Sequence, residues 1–232
     1  MADDERVAFL GELERADEAV GVELAELDEL YDAVEDARRL AVELQELELR
    51  LPAECSAAAD TVAEAERAAA EAQQALAEAT EELEAADTAG DPERLAAARR
   101  FEIRARDHLH IAERKAASAR ELAAELDARA EAAGREAAGL EARARELAEA
   151  LERTPRLTGE AVAGPGRGPD GVAEWGAKAR AALLVARSQL AAERDAVVRQ
   201  ANELGAVLLG ETLPPTSAAA VARRVEAELG EK

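Results

Sequence analysis

The short sequence Thr88-Ala89-Gly90-Asp91-Pro92 separates two long segments that share one alanine- and leucine-rich pattern. Gly90 has the backbone freedom to end a helix, the side chain of Asp91 suits an N-cap, and Pro92 fits a first helical position. We therefore predict that one helix ends and another begins near residues 88–92.

After this sequence, Ala and Leu recur at alternating spacings of three and four residues. Sixteen of the seventeen positions on this stripe are Ala or Leu. The stripe comprises Leu95, Ala98, Glu102, Ala105, Leu109, Ala112, Ala116, Ala119, Ala123, Leu126, Ala130, Ala133, Ala137, Leu140, Ala144, Leu147 and Leu151. Such a seven-residue repeat predicts a helix over about 92–152 that packs along a partner helix.

The segment before the turn has the same repeat. Its stripe comprises Cys55, Ala58, Val62, Ala65, Ala69, Ala72, Leu76, Ala79, Leu83 and Ala86. Two helices that have matching stripes and a short connection fold back on each other. We predict an antiparallel coiled-coil hairpin over residues 52–152, in which residue i lies opposite about residue 180 minus i.

The charges of the two segments favour the same pairing. Residues 52–91 carry 11 acids and one base, Arg67, whereas the following segment begins with a surplus of arginines. Opposite charges on the flanks of two helices attract, and two identical acidic helices repel each other. The charge pattern therefore favours a hairpin within one chain over a parallel dimer.

Residues 1–51 form a third kind of segment, acidic and rich in Leu. They carry 17 acids and 5 bases, and their apolar face is wide enough to contact more than one neighbour. We expect this helix to be part of a helical base. Pro52 follows it, and two alternatives stay open: Pro52 kinks one continuous helix, or it starts a new one.

The C-terminal part begins with a loop. Residues 153–171 contain five glycines and three prolines, which predict a flexible, non-helical segment. Residues 172–232 then predict a helix over about 172–209 and a short terminal helix capped by Thr216 or Ser217. The expected fold is all-α: a long antiparallel coiled-coil hairpin with a three- to four-helix base.

The net charge of −22 excludes some classes of function. Nucleic acid binding normally requires a surplus of Lys and Arg, so we predict no nucleic acid partner. No uncharged run is long enough to span a bilayer, and the acidic N-terminus does not suggest a signal peptide. With Cys55 as the single cysteine, an internal disulfide is impossible, and we expect a cytoplasmic protein.

Residues with catalytic or ligand-binding chemistry are sparse. His108 and His110 are two positions apart, which places them on different faces of a helix. Cys55 falls on the alanine stripe, where a small buried side chain is the ordinary explanation. The glycine-rich sequence 164–171 lacks the Lys-Ser/Thr pair of a phosphate-binding loop. We predict no catalytic residue, no cofactor and no metal site, and hence no enzyme.

Protein binding is the function that the pattern favours. The candidate partner-binding residues are Glu23, Glu26, Asp28, Glu29, Asp32 and Trp175. We expect a scaffold or adaptor whose acidic helix binds a basic protein, with a homodimer through the helical base as a further possibility. The alternatives are that the acids provide only solubility and that Trp175 is a packing anchor. A peripheral, membrane-remodelling hairpin protein is the alternative function, although the first helix lacks a basic face for lipid.

Overall fold

A computed structural model of the chain describes residues 3–154, 156–157, 163–214 and 216–230. These residues form four helices and no strand. The helices are α1 (Asp3–Ala89), α2 (Pro92–Glu152), α3 (Gly168–Leu209) and α4 (Ala218–Gly230). The all-α prediction is confirmed for the described residues.

The connection between α1 and α2 has the geometry that its sequence predicts. Gly90 has φ of 68°, a left-handed conformation that favours glycine. The Asp91 carboxylate accepts hydrogen bonds from the backbone N–H groups of Glu93 (3.0 Å) and Arg94 (3.2 Å). Asp91 is thus the N-cap of α2, and Pro92 is its first residue.

α1 continues through Pro52 without interruption. Proline has no backbone N–H, so the carbonyl of Glu48 lacks the bond that residue 52 would otherwise donate. The alternative in which Pro52 starts a separate helix is therefore wrong.

The chain divides into two compact units. Unit 1 comprises Met1–Val42 and Ala138–Lys232, and unit 2 comprises Glu43–Ala137. Each unit thus contains parts of both α1 and α2, and only unit 1 contains α3 and α4.

In unit 2, the small side chains of the repeat are the buried ones. All ten stripe positions between residues 55 and 86 are buried or half-buried, and Ala79 and Ala86 have no exposed surface. The stripe positions from 95 to 137 are also buried or half-buried. Two ion pairs connect α1 with α2 in this unit, Glu82 with Arg94 (2.9 Å) and Glu66 with Arg120 (2.8 Å).

Unit 1 contains an apolar core that α4 completes. The core cluster consists of Leu10, Leu13, Ala201, Leu213, Ala218, Val221, Ala222 and Val225. α3 and α4 approach closely at Gly205, where an added Cβ would lie 2.3 Å from Val221 Cγ1. Ser217 Oγ accepts a hydrogen bond from the N–H of Ala220 (3.3 Å), so the predicted cap of the last helix is confirmed.

The glycine-rich connection before α3 is shorter than its sequence predicts. α3 begins at Gly168, four residues before the predicted start, and the Gly168 N–H donates to the Glu141 carboxylate (2.7 Å). An added Cβ at Gly171 would lie 2.4 Å from the carbonyl carbon of Gly166, so the chain requires glycine there. The predicted flexibility of residues 153–171 is untested, and positions 155 and 158–162 lie outside the described residues.

Candidate functional site

Three of the five candidate carboxylates form an exposed group on α1 in unit 1. Glu26, Glu29 and Asp32 lie at helical spacings that place them on the outer surface, and all three are exposed. Within the described part of the chain, none of the three side chains forms an ion pair. We call these three residues the acidic patch.

The other two candidate carboxylates are paired within unit 1. Glu23 accepts a hydrogen bond from Arg156 (3.0 Å), which also donates to Glu193 of α3 (2.7 Å). Asp28 pairs with Arg187 of α3 (2.9 Å). Glu23 and Asp28 therefore help to hold unit 1 together, and their charges are partly neutralised within the protein.

Trp175 lies in the interior of unit 1. Its side chain is only 4% exposed, and its Nε1 has no hydrogen-bond partner among the described residues. α1 approaches the neighbouring residue, Gly176, so closely that an added Cβ would lie 3.0 Å from Arg38 Cβ. Burial favours the role of a packing anchor, and a partner-binding role for Trp175 stays a prediction.

Sequence reasoning missed three arginines of α3 that face α1. Arg180, Arg187 and Arg194 are spaced by seven residues, and we call them the arginine row. Their partners on α1 are Glu35 (3.2 Å), Asp28 (2.9 Å) and Asp17 (2.8 Å), respectively. The seven-residue spacing was the available signal, because it places the three side chains along one flank of a packed helix.

The first member of the row belongs to a mixed cluster. Arg180 donates to the hydroxyl of Tyr31 (2.8 Å), and its guanidinium carbon lies 5.7 Å from the centre of the Tyr31 ring. The hydrogen bond from Arg38 lowers the pKa of Glu35; partial burial opposes this effect, and the positive charges of Arg38 and Arg180 reinforce it. The cluster therefore keeps Glu35 ionised and paired in the folded protein.

The last member of the row binds the one buried charged residue identified in the described chain, Asp17. Arg194 donates to Asp17 Oδ1, and the backbone N–H of Ala218 donates to Asp17 Oδ2 (3.3 Å). Asp17 thus connects α1 with α3 and with the first residue of α4. Its role is structural, since both carboxylate oxygens already accept hydrogen bonds from the protein.

The residues considered for chemistry are dispersed. His108 and His110 are exposed on α2, and Cys55 is half-buried on α1. Among the described residues, no three or more His, Cys, Asp or Glu side chains are grouped so as to hold a metal ion. None of the helices in the described ranges combines the length and apolar character needed to cross a membrane.

No protein-family model matches the chain, no curated protein is significantly similar to it in sequence, and no solved structure is significantly similar to it in fold.

Proposed function

We propose that the protein is a non-enzymatic scaffold or adaptor that binds other proteins through surfaces of its long helices. In this proposal, residues 52–152 form an antiparallel coiled-coil hairpin with its turn near residues 88–92. The helices of unit 1 form a three- to four-helix bundle that presents the acidic patch to a basic protein.

The register of the contacts in unit 2 supports the hairpin. In the predicted register, the numbers of two facing residues add to about 180. They add to slightly less than 180 for Glu82 and Arg94 and to slightly more for Glu66 and Arg120. Such a small offset in opposite directions is expected for pairs on the two flanks of one antiparallel seam. Ala72 and His108, whose numbers add to 180, line the same cavity.

The contacts in unit 1 support a bundle of several helices. The arginine row joins α3 to α1, and Asp17 joins α1 to α4. The Gly168 N–H binds the Glu141 carboxylate and so joins α3 to α2. These contacts use the polar flanks of the helices, whereas the core cluster uses their apolar faces.

The main observation in support of the binding function is that the carboxylates of the acidic patch form no ion pair within the described chain. The arginine row and Arg156 pair with neighbouring carboxylates, but Glu26, Glu29 and Asp32 form no ion pair among the described residues. Three adjacent negative charges on a rigid helix attract a basic surface and orient it on approach. The affinity of such a contact falls with rising salt concentration.

The test is affinity capture from lysate at low and high salt with a charge-neutralised variant. Replacing Glu26→Gln, Glu29→Gln and Asp32→Asn together is expected to abolish capture of a basic protein that the wild type retains at low salt. The matched control is the triple variant Glu43→Gln, Glu46→Gln and Glu48→Gln, which removes three other exposed charges of α1 whose spacing does not place them on one face of the helix. Equal capture by the two variants, or the absence of any salt-sensitive protein partner, would contradict the proposal.

A further inference from the structure

Three large apolar side chains along one side of α2 in unit 2 are half exposed, and we call them the apolar strip although His108 and Lys115 lie between them. Phe101, Ile111 and Leu122 are 50%, 52% and 52% exposed, respectively. Ile111 lines a groove together with His108 and Lys115 of α2 and with Ala65, Ala68 and Ala72 of α1. Leu122 lines the adjoining groove, whose charged lining residues are Glu64 of α1 and Lys115, Glu121 and Glu125 of α2. We call these two adjoining grooves, which Ile111 and Leu122 line from the α2 side, the unit 2 groove.

The heptad positions of these residues are unusual for a two-helix coiled coil. Phe101, His108, Lys115 and Leu122 recur every seven residues on one flank of the α2 stripe. Flanking positions usually carry charged side chains that pair across the seam, as Arg94 does with Glu82 one heptad before Phe101. Phe101 and Leu122 instead leave hydrophobic area uncovered on this flank, interrupted by His108 and Lys115.

The opposite rim of the groove is acidic. Glu64 lines the groove, and Glu71 and Glu78 follow it at seven-residue intervals along the same face of α1. All three side chains are exposed. The row from Glu64 to Glu78 is about 21 Å long at about 1.5 Å per residue, which is the length of about four helical turns.

From this arrangement we infer that the unit 2 groove binds an amphipathic helix of a partner protein, with apolar residues against Ile111 and Leu122 and Lys or Arg against the acidic rim. The inference rests on the scaffold function and the hairpin proposed above, and it assigns a partner chemistry to a surface separate from the acidic patch. A helix packed in the groove buries Ile111 and Leu122, as helix-in-groove recognition requires. Its basic side chains neutralise Glu64, Glu71 and Glu78.

A second copy of the chain fits this groove poorly. The walls of each groove contain Glu64, Glu121 and Glu125 against one lysine, Lys115, so two grooves that faced each other would bring surplus negative charge together. Like charges in an interface disfavour association. The electrostatic pattern therefore favours a basic helix from another protein.

The inference is tested with the full chain and a synthetic three-heptad peptide that has Leu on one face and Lys on both flanks. Binding is measured by fluorescence anisotropy of the labelled peptide at low and high salt. We expect saturable binding that weakens with salt. A peptide with Gln in place of Leu, and one with Glu in place of Lys, are both expected to bind about tenfold or more weakly. Equal binding by either altered peptide would overturn the inference.

Variants of the protein locate the binding site. Ile111→Glu with Leu122→Glu places two charges on the apolar strip and is expected to weaken peptide binding about tenfold or more. Both positions are half exposed, so the helices should remain intact by circular dichroism. The matched control is Ile103→Glu, which alters an equally exposed apolar residue of α2 at a different heptad position. Equal loss in the control would overturn the inference.

A second variant tests the acidic rim without altering any apolar side chain. Glu64→Gln, Glu71→Gln and Glu78→Gln together are expected to remove most of the salt dependence of peptide binding. The control Asp60→Asn with Glu81→Gln removes exposed charges from the outer face of α1 and is expected to preserve that dependence. Unchanged salt dependence in the rim variant would overturn the inference.

Two further measurements distinguish the failure of this inference from that of the proposed function. Light scattering that shows a dimer, dissociated by Ile111→Glu and Leu122→Glu, would assign the groove to a second copy and overturn the inference alone.

Spin labels at Gln73→Cys and Glu113→Cys, in a Cys55→Ala background, report the hairpin. Labels near each other support the arrangement, whereas labels about 60 Å apart, as along one straight helix, would overturn both the hairpin and the groove.

Discussion

The buried carboxylate of Asp17 on α1 binds the guanidinium of Arg194 on α3 at 2.8 Å. The second oxygen of the same carboxylate accepts the backbone N–H of Ala218, the first residue of α4. One side chain therefore satisfies an otherwise unpaired N–H at the start of a helix and neutralises a cation of the arginine row. Asp17 is 4% exposed, whereas the Arg194 side chain is 46% exposed and stays in contact with water.

Replacing Asp17→Ala is expected to lower the free energy of unfolding of unit 1 by about 1 to 3 kcal/mol, chiefly because the N–H of the buried residue Ala218 loses its acceptor. Urea denaturation followed by Trp175 fluorescence measures this change, since Trp175 is the single tryptophan and is buried in unit 1. Glu18→Ala is the control at the exposed neighbouring position. Equal denaturation midpoints for the two variants would contradict the role of Asp17.

Replacing each of two glycines of unit 1 by alanine is expected to change the free energy of unfolding in opposite directions. Gly205→Ala places a methyl group about where Val221 lies. We therefore expect overpacking between α3 and α4 to lower the free energy of unfolding by about 1 to 3 kcal/mol. Gly139→Ala meets no atom within 4 Å in an exposed part of α2, so the helix is expected to gain about 0.5 to 1 kcal/mol. Thermal unfolding followed by circular dichroism measures both effects. A stabilising Gly205→Ala would contradict the close approach of α3 and α4.

The helices could be predicted from the sequence because their signals are local or periodic. Gly90, Asp91 and Pro92 determine one helix end and one helix start within three residues, and the alanine-rich stripe determines which side chains are buried. The start of α3 at Gly168 was predicted four residues too late. Its N–H binds Glu141, which is distant in sequence, and no local pattern reports such a contact.

The polar contacts of unit 1 were harder to predict. Asp17 is one acid among the 17 of residues 1–51, and no sequence pattern distinguishes it from its exposed neighbours. Its burial depends on where α3 and α4 pack, which is a tertiary property. The arginine row could have been found from its seven-residue spacing, but the neutral overall charge of residues 154–232 concealed it.

The pair of Glu66 and Arg120 tests the register between α1 and α2. Reversing the charge of one partner, by Glu66→Arg or Arg120→Glu, is expected to lower the free energy of unfolding by less than about 1 kcal/mol. The effect is small because both side chains are about half exposed. The double exchange is expected to recover part of that loss, since the reversed pair attracts again. Thermal unfolding followed by circular dichroism measures the coupling. The control combines Glu66→Arg with Arg114→Glu, which lies on another face of α2, and recovery there would contradict the register.

The ionisation of Glu82 tests the contact on the other flank of the same helices. The hydrogen bonds and positive charge of Arg94 lower the pKa of Glu82. A lowered pKa in the folded state means that the pair stabilises the protein above the pKa of the unfolded state. That contribution is lost as the pH falls through the folded-state pKa. NMR titration of the Glu82 carboxyl is expected to give a lower pKa in the wild type than in Arg94→Gln. The control Arg100→Gln is expected to leave the Glu82 titration unchanged, and an equal titration in the wild type and Arg94→Gln would show that the two side chains do not meet.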